Sequence, residues 1–341
     1  MSFLTPGRHA ALSAPHPSLL RRLLCWLPAA ALVACSLAQA QTWPAGKPVR
    51  LVVPVSPGGS TDIIARTVAQ ALSQNLGQSF VVDSKPGAAG AIASVEVARS
   101  PADGYTLLVA TSSTHSVAPA LSSQLKYNPV DDFTPIAMLA EANNFILLSP
   151  SIEAKSIKEL VALARQKPGV LNYSSSGIGS FGHLTFEFFA SQAGISLTHV
   201  PYKGTASSIT DLVAGSVLLA ADGIPSALPH VKEGRLRALA VTGTRRSALA
   251  PDVPTAAEAG VPGFAATSWF GLYAPRGLPA DLARRINEEV NKVLRSPDVA
   301  ARFTALGIEA GTGSGADFAA MVARDTAHWT KVVRDNKIKV D

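Results

Sequence analysis

Val52-Val53-Pro54-Val55-Ser56-Pro57-Gly58-Gly59-Ser60-Thr61-Asp62-Ile63-Ile64-Ala65-Arg66 reads as an apolar strand entering a glycine-rich turn, then a helix opened by Ser60, Thr61 and Asp62. The first N–H groups of a helix have no intrahelical acceptor, and they sit at the positive end of the helix dipole. Such a turn is therefore expected to hold an anion. Phosphate, nucleotide and carboxylate all answer that description, and the rest of the chain has to separate them.

Downstream, strands and helices alternate. A strand of the buried, parallel type is expected at 49–55 and a helix at 61–76, with Ile64, Val68 and Leu72 on one face and Gly77 as its stop. Further strands are expected at 80–83 and 105–111, the second entered through Asp103-Gly104. After a long extended apolar stretch at 133–149 the rhythm restarts, with helices at 157–166, 182–193, 207–214 and 225–233 between short strands. A second extended stretch follows at 267–274, then amphipathic helices at 281–295 and 315–336. Two α/β halves and two extended crossings imply lobes built on doubly wound mixed sheets and joined by two strands. The expected division is 41–142 plus 271–341 for the first lobe and 143–270 for the second. Ligands in such folds lie at the C-terminal ends of the strands, here between the lobes.

Residues 1–40 stand apart. They carry Arg8, Arg21 and Arg22 but no acid, then a short apolar run, then Ala38-Gln39-Ala40. That is the form of an export signal with cleavage after Ala40. Leu32-Val33-Ala34-Cys35 also has lipobox form, which leaves open a lipid anchor on Cys35. Both cysteines, Cys25 and Cys35, fall in this segment, so the remaining chain offers no disulfide, thiol nucleophile or thiolate metal site. The chain has 30 basic and 24 acidic residues. Losing three arginines leaves 27 against 24, a net of +3, without the basic aromatic runs of a nucleic-acid binder.

A second glycine turn, Ser176-Gly177-Ile178-Gly179-Ser180-Phe181-Gly182-His183, also follows a strand and opens a helix. It is expected to face the first turn across the cleft, so that two helix N-termini hold a ligand. Gly177, Gly179 and Gly182 also spell a dinucleotide fingerprint. That motif needs an acid about 20 residues on, where Val200-Pro201-Tyr202-Lys203-Gly204 has none. Ser180 lacks the spacing of a nucleophile elbow. His183 is expected to serve the helix start or a hinge rather than catalysis. Asp222, at the end of an apolar strand, is expected either to accept a hydrogen bond from a ligand or to cap the following helix. Asp62 is expected to cap its own helix. No metal site, cofactor or catalytic group is expected.

Several motifs in order carry a resemblance: the 54–62 turn, Lys85-Pro86-Gly87-Ala88-Ala89-Gly90, Asp103-Gly104-Tyr105-Thr106-Leu107, Gly179-Ser180-Phe181-Gly182-His183-Leu184, Val200-Pro201-Tyr202-Lys203-Gly204 and Ser268-Trp269-Phe270-Gly271-Leu272. Over essentially all of the chain past the signal, the sequence resembles the substrate-binding proteins of tripartite tricarboxylate transporters, the Bug (Bordetella uptake gene) family. The resemblance implies a periplasmic, two-lobed "Venus flytrap", a monomer, that captures a small carboxylate for inner-membrane transporter subunits. It implies ligand contacts from Ser56, Pro57, Gly58, Gly59, Ser60 and Thr61 on one side. On the other it implies Gly177, Gly179, Ser180, Gly182 and His183, mainly through backbone N–H groups. Ser113, Tyr202 and Asp222 complete the candidate set. Two positions depart from the family pattern: Val55 stands where an aromatic residue is usual, and Ser176-Gly177-Ile178 replaces a usual Gly-Asn-Gly.

Overall fold

The structure, a computed structural model, describes residues 43–121 and 125–338. The expected signal at 1–40, its cleavage point at Ala40 and the alternative anchor at Cys35 lie outside the described residues. None of the described helices is long and apolar enough to cross a membrane.

The chain begins β1 (Val49–Val53), α1 (Ser60–Leu76), β2 (Phe80–Ser84), α2 (Ala91–Ala98) and β3 (Thr106–Thr111). A π-helical turn, Ser113–Val117, runs into the single turn α3 (Ala118–Leu121), and β4 (Phe133–Leu148) follows. Then come α4 (Ile157–Gln166), β5 (Asn172–Ser175), α5 (Phe181–Ala193), β6 (Thr198–Pro201), α6 (Thr205–Ala214), β7 (Leu219–Gly223), α7 (Ile224–Lys232) and β8 (Arg237–Val241). The chain ends with β9 (Thr267–Pro275), α8 (Ala280–Leu294), α9 (Pro297–Ala305), β10 (Ile308–Ala310) and α10 (Gly315–Asp335). The α/β alternation is the one the sequence pattern implies. The π turn, α9 and β10 were not foreseen, being too short to show a period of their own.

The ten strands form one mixed sheet in the order β2-β1-β3-β9-β4-β7-β5-β6, with β8 and β10 as further partners of β4. Strands β1, β2 and β3 are parallel, as are β5, β6 and β7. The sheet changes character along β4. Up to Asn143 that strand pairs antiparallel with β9, and from Asn144 it pairs antiparallel with β7. β4 is thus common to two half-sheets. The second crossing is the stretch entering β9, where the Ala266 N–H donates to Thr242 O and Thr267 stands opposite Asn143.

Helices cover both faces of each half, which is why the parallel strands read as nearly unbroken apolar runs. Ile64, Val68 and Leu72 of α1 bury one stripe against Leu51, Val53 and Val290. Ala93 and Val97 of α2 pack the opposite face with Trp269 and Tyr273. In the second half, α4 and α5 cover one face and α6 and α7 the other. Helix α10 spans both halves. Its Phe318 and Val322 join the core around Tyr273, whereas Trp329 and Val332 join the second half, with the Trp329 ring 5.5 Å from Phe181.

Candidate ligand-binding site

Helix α1 begins where the sequence suggests. Gly59 is its N-cap, in extended conformation and with no side chain to accept from the first-turn amides. Helices α6 and α7 also start on glycine caps, Gly204 and Gly223, again without a side-chain acceptor. The three N-termini meet at one place. A Cβ on Gly59 would lie 2.5 Å from Thr205 Oγ1, and one on Gly204 would lie 2.9 Å from Ser56 Cβ. A Cβ on Gly223 would collide with Ser60 Oγ and lie 3.0 Å from Ser60 Cβ. These backbones approach so closely because the residues are glycines; none of the three needs a left-handed conformation.

Hydrogen bonds join the two halves across this junction. Ser60 Oγ and Ser226 Oγ share one at 3.1 Å, the Phe181 N–H donates to Ser113 Oγ at 2.9 Å, and Ser56 Oγ donates to Lys203 O at 3.4 Å. They border a cavity of about 90 Å³. At roughly 30 Å³ for each water, that is room for about three waters or one small molecule. Its wall includes Gly59, Ser60, Thr61, Ser113, Gly182 and Asp222 from the expected set. Among the described residues no lysine, arginine or histidine lines it. An anion there would be held by backbone N–H groups and hydroxyls, without a cation.

The remaining expected residues stand elsewhere. Pro57 and Gly58 are exposed at the rim. The Gly58 N–H donates to Asp62 Oδ2, which also accepts from Arg66 Nε, so Asp62 ties the turn to its own helix. The second glycine turn has spent most of its donors internally. The Gly177 N–H goes to Ser175 Oγ, Gly179 N–H to His183 Nδ1, Ser180 N–H to Gly177 O, and His183 N–H to Ser180 Oγ. Gly177 and Gly179 do need left-handed backbone, with φ of 126° and 77°. Among the glycine-capped helices, the N-termini that confront α1 at the cavity are therefore those of α6 and α7. His183 is stacked on His199 at 3.9 Å and 10°, and burial lowers both imidazoles to about 4. They are neutral ring packing behind the turn. The Tyr202 hydroxyl donates to Asp211 Oδ2 rather than turning into the cavity.

Asp222 is 4% exposed and lies in the wall. The Gly223 N–H and Ser226 Oγ donate to its two oxygens at 2.9 and 3.0 Å. Burial raises its carboxyl to about 6, only partly offset by these bonds. Sequence reasoning missed Ser112, Asn144 and Ser268, all of them cavity-lining and 8% exposed or less. Ser112 Oγ is buried without a partner among the described residues, while Asn144 Oδ1 accepts from Ser268 Oγ. Their one signal is a polar residue interrupting or ending an apolar strand. Val55 and Ser176, the two departures from the family pattern, also line the cavity.

The family of tripartite tricarboxylate transporter family receptors matches residues 64–338. This chain belongs to that family. The receptor is 34% identical over 302 residues to the protein BugT of Bordetella pertussis, covering 88% of this chain and 92% of BugT. Among solved structures it is similar to Rpa4515 of R. palustris with adipate, at a TM-score of 0.84 and 39% identity, with 87% of this chain and 99% of that one covered. It is also similar to MatC of Rhodopseudomonas palustris with bound malate, at a TM-score of 0.80 and 34% identity, with 84% and 98% covered. The receptor therefore has the α/β mixed-sheet, two-lobed architecture of these binding proteins.

Proposed function

We propose that this receptor is exported to the periplasm, captures a small carboxylate between its lobes and delivers it to inner-membrane transporter subunits. The observation that carries this reading is the cavity between the halves, where glycine-capped helix N-termini from both converge without a cation among the described residues. Relatives bound to adipate and malate support the choice of a carboxylate over other anions. The lobes are 41–142 plus 271–341 and 143–270, close to the point where β4 exchanges β9 for β7. The ligand docks on the amides of Ser60 and Thr61, and hinge bending brings Gly204 and Gly223 over it. Excluding water strengthens each hydrogen bond to the carboxylate.

The protein acts as a monomer and a binding module, with no cofactor and no catalytic residue. A nucleotide-dependent enzyme is the competing class, because Gly177, Gly179 and Gly182 match a dinucleotide fingerprint. Those glycines shape a turn most of whose donors are already used, and a cavity of about 90 Å³ has no room for a dinucleotide. A melting-temperature screen against small carboxylic acids and NADH separates the two. A cognate carboxylate at 100 times its Kd is expected to add about 2.7 kcal/mol to stability, and NADH nothing. A shift with NADH alone would refute the binding-module reading.

A further inference from the structure

Asp222 is the one ionisable side chain on the cavity wall among the described residues. Helices α1, α6 and α7 and strand β4 bring Ser60, Ser208, Ser226 and Asn144 around it, all of them neutral. On the proposed function, on which this inference rests, a second negative charge enters the same cavity. The Ser60 end of α1 is only two hydrogen bonds away, through Ser226 Oγ to Asp222 Oδ2. Two carboxylates enclosed so near each other, away from water, disfavour being ionised together. The ligand's carboxylate meets backbone donors, which favour its charged form. The proton is therefore better held by Asp222.

The hydrogen-bond network already contains the arrangement this needs. Ser226 Oγ lies 3.0 Å from Asp222 Oδ2 and equally 3.0 Å from Gly223 O. With Asp222 ionised, the Ser226 hydroxyl donates to the carboxylate. With Asp222 protonated on Oδ2, the hydroxyl turns to Gly223 O and accepts the new O–H, and Oδ1 keeps the Gly223 N–H. No heavy atom has to move. We infer that carboxylate capture is coupled to the uptake of one proton from solvent by Asp222, so that Asp222 adds no negative charge beside the carboxylate bound at α1.

With the two halves together and no ligand between them, burial holds the Asp222 carboxyl at about 6, and a bound anion moves it higher. Affinity then falls as pH rises above about 6, by up to about tenfold per pH unit while the complex still holds its proton. The test is calorimetry with malate and adipate at about pH 7, where both are ionised, in two buffers of different ionisation heat. The wild type is expected to take up roughly one half to one proton per ligand. Asp222→Asn keeps an acceptor for the Gly223 N–H and gives Ser226 a donor. This variant should take up none, show a flat pH profile, and bind at least about tenfold more tightly than wild type near pH 8. Zero uptake by the wild type, with parallel pH profiles for both proteins, overturns the inference. So does malate binding without proton uptake that Asp222→Asn weakens, because the ligand's hydroxyl then satisfies an ionised Asp222. Failure of both acids to bind either protein at any pH instead overturns the carboxylate reading itself.

Discussion

Gly223→Leu is expected to cut ligand affinity by about 100-fold or more while leaving the melting temperature of the ligand-free protein unchanged. Gly223 has φ of −59° and ψ of 140°, a conformation that leucine adopts without strain. The neighbour of an added Cβ within its own half is Pro225 Cδ at 3.6 Å, an ordinary contact. The collision is with Ser60, on the opposite half. The substitution therefore penalises the closed form alone. Overpacking costs roughly 1–3 kcal/mol, and about 2.7 kcal/mol on closure is a 100-fold loss of apparent affinity. Titration calorimetry beside melting curves reads both quantities. Unchanged affinity would mean that closure at Gly223 is not part of binding.

Trp329→Ala is expected to destabilise the fold by about 3–5 kcal/mol, read by urea unfolding. Trp329 is 1% exposed and packs edge-on against Phe181 and Phe188. With Val332 it is where α10, anchored by Phe318 in the first half, packs into the core of the second. Trp329→Phe should cost far less, because it keeps a ring in place and removes Nε1–H, which is buried without an acceptor. Equal losses for the two variants would contradict this account of the helix as a packed bridge.

How much of this was legible in the sequence depends on the length scale over which each feature is set. The βα alternation was readable because buried parallel strands are apolar runs and the helices stop at glycines such as Gly77 and Gly194. The anion turn at α1 was readable for the same local reason. The second turn looked equivalent, and only the folded chain reveals that Ser175, Ser180 and His183 consume its donors. Gly204 and Gly223 gave no sign of their role, since what matters is the residue across the cleft. Ser112, Asn144 and Ser268 share a wall because β3 lies next to β9 and β9 next to β4, an order that local pattern does not encode.

On the proposed function a carboxylate sits on the amides at the start of α1, with the second half closed over it. The most direct measurement follows the backbone N–H resonances of 15N-labelled protein during titration with malate and adipate. Saturable shifts at Ser60 and Thr61, accompanied by shifts at Gly223, are the predicted result. Binding that moves none of these amides, or no binding of either acid, would contradict it.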